Sequence, residues 1–182
     1  MHRRGAPSER SPRREPWVSS SKQHEPQRGE RVMAHTFTNL LTHIIFSTKD
    51  RMPTLEPDLK QRLFPYMGGI FRELGATAHL INGPTDHVHI LASIPAKLAP
   101  AEIVGTVKSN SSGWIHKEFS AQRLFSWQVG YAAFSVSHSQ KQTILNYIAK
   151  QKEHHRKMSF REELVAFLEK HEIEYEEKYL WE

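Results

Sequence analysis

Cysteine is absent from the 182 residues. That excludes disulfides, thiolate metal sites and cysteine nucleophiles, and permits a reducing compartment. No apolar run approaches the roughly 20 residues needed to cross a bilayer. The opening stretch MHRRGAPSERSPRREPWVSSSKQHEPQRGERV has no continuous apolar segment of the kind a secretory signal requires, so the chain reads as cytoplasmic with no membrane partner. There is no internal repeat, and 38% hydrophobic residues suffice for the core of one ordinary domain.

Charge is plentiful but uneven. Residues 1–32 carry eight Lys/Arg against four Glu, residues 33–158 carry 14 basic against 8 acidic, and residues 159–182 carry three basic against eight acidic. A mildly basic body is compatible with phosphate binding without identifying it. The first 32 residues, rich in Arg, Pro, Ser and Glu, offer too little apolar surface to offset the entropy of ordering and read as a disordered leader. Met33 opens the patterned part, and translation starting there is one expectation. A domain over 33–158 and a C-terminal helix with an acidic tail over 159–182 complete the organisation.

Residues 36–49, TFTNLLTHIIFSTK, read as a strand. Leu59, Leu63, Met67, Ile70 and Leu74 then recur at helical spacing, with Pro57 in the first turn and Gly75 as a stop. Pro65 and Gly68-Gly69 inside that pattern predict a kinked or broken helix. Strands follow around residues 77–81 and 87–94, a helix from about 100 to 119, and a strand WQVGYAAFSVS from Trp127 with Gly130 as a bulge. A helix over 139–155 and a shorter one near the C-terminus end the chain. The order β-α-β-β-α-β predicts an α+β fold, the ferredoxin-like or split βαβ arrangement, with helices on one face of an antiparallel sheet and an active site on the other.

One stretch departs from core chemistry: NGPTDHVHILASIP, residues 82–95. In a strand, His87, His89 and Leu91 share one face while Val88, Ile90 and Ala92 share the other. The two imidazoles stand about 6.6 Å apart along the backbone and can converge on one ion from the same side. Half-exposed or hydrogen-bonded histidines would give the same spacing. Further on, Tyr147 and Gln151 lie four residues apart on one helical face, which His154 continues.

H-hydrophobic-H on a strand followed by helical Y-I-x-x-Q resembles the HUH-type single-tyrosine transposases of the insertion-sequence 200/605 group and the REP-associated tyrosine transposases. HIIFSTKDR (43–51), DHVHILASIP (86–95), AEIVGTVKSNSS (101–112) and WQVGYAAFSVS (127–137) are similar to that family too. The resemblance covers about residues 34–158. It implies a metal-dependent enzyme that cleaves and rejoins single-stranded DNA through a 5′-phosphotyrosine, with Tyr147 as nucleophile and His87, His89 and Gln151 as metal ligands. Two neutral nitrogens and an amide oxygen suit Mg²⁺ or Mn²⁺, though Zn²⁺ also takes imidazole. Asp86, on the opposite face of a regular strand, is not counted as a ligand. The implied partners are single-stranded DNA with hairpin or palindromic ends and a second copy of the chain, in a homodimer with sites in trans. Lys49, Arg51, Lys108 and Lys150 are candidate phosphate contacts, and Trp127 and Tyr131 candidate stacking platforms. A domesticated relative acting on palindromic repeats, a non-cleaving binding module for single-stranded nucleic acid, and a phosphodiesterase using activated water remain as alternatives.

Overall fold

The computed structural model describes residues 37–156, 158–176, 178 and 180, so the expected leader lies outside the described residues. Strands β1 (Leu41–Ser47), β2 (Thr77–Asn82), β3 (His87–Ser93) and β4 (Ala132–Ser135) form one antiparallel sheet in the order β2-β3-β1-β4. Helices α1 (Pro57–Glu73) and α2 (Pro100–Glu118) connect β1 to β2 and β3 to β4, which completes the split βαβ arrangement. Among the described residues, no helix is long and apolar enough to cross a membrane.

Strand alternation sorts the two faces. Ile44, Phe46, Val88, Ile90 and Ala92 are buried against α1 and α2, whose stripes Leu59, Leu63, Met67, Ile70 and Ile103, Val104, Val107, Ile115 complete the main core. His43, Ile45 and Ser47 of β1 and His87, His89 and Leu91 of β3 point the other way. Antiparallel register pairs Ile45 with His89 and Ser47 with His87, which sets the histidines in the middle of that face.

That second face is not open. It is roofed by α3 (Lys141–Ala149), the single turn α4 (Gln151–His154) and α5 (Phe160–Lys170). Phe160, Leu164 and Leu168 of α5 pack on Ile45 and Phe134, while Ile148 of α3 packs on Leu41 and Leu91. An apolar face this large, with Leu91 and Ile45 wholly buried, gains more from cover than from exposure.

Three local expectations are revised. Helix α1 is not broken at Pro65: the proline and the carbonyl of Gln61 that it leaves unpaired lie on the exposed side, and burial of the opposite stripe outweighs the loss. Strand β4 begins at Ala132 rather than Trp127. Trp127 makes only an isolated bridge to Thr48, and the Lys108 ammonium takes the carbonyls of Gln128, Val129 and Gly130 that a strand would have paired. The helix expected over 139–155 is interrupted at Lys150, whose backbone (φ −96°, ψ 16°) leaves the helical basin and begins a new turn at Gln151.

Candidate metal and tyrosine centre

The β2–β3 connection delivers the histidines. Gly83 has no room for a side chain: a Cβ there would stand 2.1 Å from the His87 carbonyl oxygen and 3.0 Å from Val88 Cα. Glycine lets the backbone of the turn press against the start of β3. On β2, the Asn82 amide donates to the carbonyls of Ile148 (2.8 Å) and Ala149 (3.2 Å), two groups a helix end leaves unpaired, and so ties the end of α3 to the sheet.

His87 and His89 are fully buried, each anchored through Nδ1. His87 Nδ1 lies 2.8 Å from Asp86 Oδ1 and His89 Nδ1 lies 3.0 Å from His43 Nε2. A carboxylate only accepts, so His87 carries its proton on Nδ1 and presents a bare Nε2. In the tautomer in which His43 Nε2 accepts from His89 Nδ1, His89 Nε2 is equally bare. Such outer partners fix the tautomer and aim of metal-binding imidazoles. Burial, then the neighbouring His89 ring, pulls His43 from its ordinary 6.5 to about 3. Burial also takes His87 to about 4, against the raising effect of Asp86, and lowers His89. Above mildly acidic pH all three rings are neutral, the form that binds metal.

Asp86 is therefore a support and not a ligand. Its pKa sits at about 2: burial would raise it, but hydrogen bonds from His87 and Arg51 prevail. Arg51 Nη2 reaches Asp86 Oδ2 at 2.7 Å.

Two groups at the centre have no place in the Y-x-x-x-Q reading. His155, one turn past Gln151, lies with its Nε2 3.0 Å from His87 Nε2. Glu163 of α5 is buried, its Oε2 3.4 Å from His89 Nε2, 3.2 Å from His155 Nε2 and 3.7 Å from His87 Nε2. Burial alone would raise this carboxyl, but the adjoining His155 and His89 rings, and then the Tyr147 hydroxyl, hold it well below the usual carboxylate range. Both groups had readable signals. Glu163 occupies the inward stripe shared by Phe160, Leu164 and Phe167, where an acid is out of place unless paired, and His155 follows Gln151 by four residues.

Tyr147 and Gln151 come to the same carboxylate. The Tyr147 hydroxyl donates to Glu163 Oε1, and Gln151 Nε2 donates to that oxygen at 3.1 Å. The Tyr147 ring lies 6.0 Å from the His89 ring of the same chain, so the tyrosine helix and the histidine pair can meet within one copy. Burial, then the Glu163 carboxylate, raises the Tyr147 hydroxyl above its ordinary value. Among the described residues, four buried atoms around this point lack a hydrogen-bond partner: His89 Nε2, Gln151 Oε1, His154 Nε2 and Glu163 Oε2.

Of the candidate DNA contacts, Trp127 is withdrawn to the core. Its ring packs on Phe46 and Phe125 and its Nε1 donates to Ser111 Oγ, so no base can stack on it. Lys108 holds the 128–130 loop, with its pKa lowered to about 8 by burial, and Arg51 is paired with Asp86. Lys49 and Lys150 are exposed, as is Tyr131. Lys150 and Arg156 flank an open depression of about 600 Å³ that Tyr147 also lines.

The family described as "Transposase IS200 like" matches residues 36–151. The transposases of insertion element IS200 from Salmonella typhimurium and Salmonella typhi are each 28% identical over 94 residues, which is 50% of this chain and 59% of theirs. The chain thus spans less than two thirds of the length of these relatives. A solved structure of a candidate transposase from Deinococcus radiodurans R1 shares the fold (TM-score 0.54, 21% identity, 70% of this chain and 97% of that one). So does a REP-associated tyrosine transposase bound to a REP hairpin (TM-score 0.52, 11% identity, 66% and 71%). With the histidine pair, the tyrosine helix and a family match over most of the chain in agreement, the protein belongs to the IS200-like transposase family.

Proposed function

We propose that this protein cleaves and rejoins single-stranded DNA through Tyr147 in a metal-dependent transposition reaction, on DNA with hairpin ends. The observation that carries the reading is the meeting of Tyr147 and the His87/His89 pair on one buried carboxylate, Glu163. The solved relative bound to a REP hairpin supports hairpin DNA as the partner, in a mobile or a domesticated setting.

The Tyr147 oxygen attacks the scissile phosphorus, the bond from phosphorus to the 3′ oxygen breaks, and a 5′-phosphotyrosine and a free 3′-OH result. The phenolic proton passes to the departing 3′ oxygen. Glu163, as a weak base, orients the hydroxyl rather than keeping its proton. Because the phosphodiester is exchanged and not hydrolysed, a second 3′-OH can reverse the step. The buried, partnerless donors facing Glu163 suit a divalent cation such as Mg²⁺ or Mn²⁺, held by His87 and His89 with Gln151 beside them. When bound, such a cation would polarise the phosphate and stabilise the leaving oxygen. Lys150 and Arg156 would receive the DNA backbone beside Tyr147.

The test is incubation with single-stranded hairpin DNA from the flanks of the gene and Mn²⁺. A detergent-stable protein–DNA adduct is expected from the wild type and none from Tyr147→Phe, which should still bind the DNA. An adduct in the Phe variant would remove Tyr147 from the chemistry, and hydrolysed product without adduct would identify water as nucleophile.

A further inference from the structure

The Nε2 atoms of His87 and His155 are 3.0 Å apart, and no hydrogen bond between neutral rings explains them. His87 Nδ1 faces the Asp86 carboxylate, and His155 Nδ1 faces the Met158 carbonyl oxygen at 3.0 Å. Both acceptors lack a proton to give, so each ring places its own proton on Nδ1. Two bare lone pairs then confront each other. His89 Nε2 and Glu163 Oε2 are two more buried acceptors aimed at the same spot, 3.4 Å apart with no donor between them. Left so, four buried lone pairs would repel one another at a cost that native interiors avoid. One ligand atom from each of His87, His89, His155 and Glu163 falls within 4.8 Å of all the others, the spread that a single ion reconciles.

We infer that His155 and Glu163 complete the metal centre, adding a third imidazole and a carboxylate to the His87/His89 pair, and that the Gln151 amide nitrogen also positions Glu163. Gln151 is turned to the other carboxylate oxygen, Oε1, which it shares with Tyr147. Glu163 therefore joins the two halves of the site, with Oε2 toward the cation and Oε1 on the nucleophile. The inference deepens the proposed function and rests on its claim that the histidine pair holds a divalent cation. Both added ligands lie beyond the residues that match the family, which end at 151. A nitrogen-rich set of this kind favours ions that accept imidazole, such as Mn²⁺ or Zn²⁺, over Mg²⁺, which prefers oxygen.

The experiment measures Mn²⁺ binding to the full chain without DNA, by electron paramagnetic resonance of the free ion, with Zn²⁺ and Mg²⁺ as competitors. His155→Ala and the isosteric Glu163→Gln should each weaken Mn²⁺ binding by at least about tenfold, the scale on which metal sites respond to loss of a supporting group. Gln151→Ala should weaken it less than either. Zn²⁺ should displace Mn²⁺ and Mg²⁺ should not. Circular dichroism confirms that each variant is folded, and His155→Asn replaces His155→Ala if it is not. As a second readout, Mn²⁺ should slow amide exchange in α5 of the wild type and leave Glu163→Gln unaffected. Wild-type affinity in both variants, or faster exchange in α5 on adding Mn²⁺, overturns the inference while the tyrosine chemistry stands or falls by the adduct assay. A wild type that binds no Mn²⁺ overturns the inference together with the metal dependence on which it rests.

Discussion

Tyr147 and Glu163, sixteen positions apart and on different helices, share one proton: the phenol donates it to carboxylate oxygen Oε1. Burial and this negative neighbour both favour the protonated phenol in the folded protein, whereas in the unfolded chain it ionises near 10. A folded pKa above the unfolded one contributes stability that is fully present below about pH 10 and lost as the pH rises further. Denaturant titrations at increasing pH should therefore show a steeper alkaline loss in the wild type than in Tyr147→Phe. Equal slopes would mean that the phenol is not held in this way.

The acid side runs in the opposite sense. His43 and His87 protonate at about 3 and 4 in the folded protein and near 6.5 when unfolded. Across that window the unfolded chain binds more protons, so stability is full above pH 6.5, declines as the pH falls and is lost through the folded values. Chelator-treated protein should lose stability between about pH 6.5 and 4, before most carboxylates titrate. His43→Gln should flatten that decline. An unchanged acid limb in this variant would exclude His43 as its source.

Gly83→Ala should destabilise the fold by roughly 1–3 kcal/mol, the usual cost of forcing atoms into a packed site. The added methyl would meet the backbone of His87, which cannot swing aside as a side-chain tip would. Chemical denaturation gives the energy. The variant should also bind Mn²⁺ more weakly, because relief of the clash displaces the first histidine. Wild-type stability would show that the turn can relax without cost.

Mixing two inactive proteins, His87→Ala/His89→Ala and Tyr147→Phe, tests which chain supplies the tyrosine. A site completed within one chain, in which Tyr147 stands 6.0 Å from its own His89, would leave the mixture inactive in the adduct assay. Return of activity after subunit exchange would mean that the tyrosine helix swaps between copies.

The split βαβ order, the faces of β1 and β3 and the His87/His89 pair were legible because strand alternation acts over neighbouring residues and leaves a periodic trace. The roof was not. Whether α5 folds onto the sheet depends on Phe160, Leu164 and Leu168 finding Phe134 and, more than a hundred residues away, Ile45, a pairing no local pattern specifies. Trp127 looked available to DNA for a similar reason. Its partner Ser111 belongs to a helix that reaches it only in three dimensions. Glu163 fell in an acidic segment where one more carboxylate drew no notice, although its place on an apolar stripe set it apart.

The break at Lys150 has a consequence for anyone trimming this gene. Residues up to 151 satisfy the family pattern, yet the turn that restarts at Gln151 leads on to His155 and then to α5. A fragment ended at 151 would keep both strand histidines and the tyrosine while discarding His155 and Glu163, and would expose Ile45 and Phe134, which α5 now covers. Such a fragment should be prone to aggregate, and its failure to bind metal or cut DNA would say nothing about the intact protein.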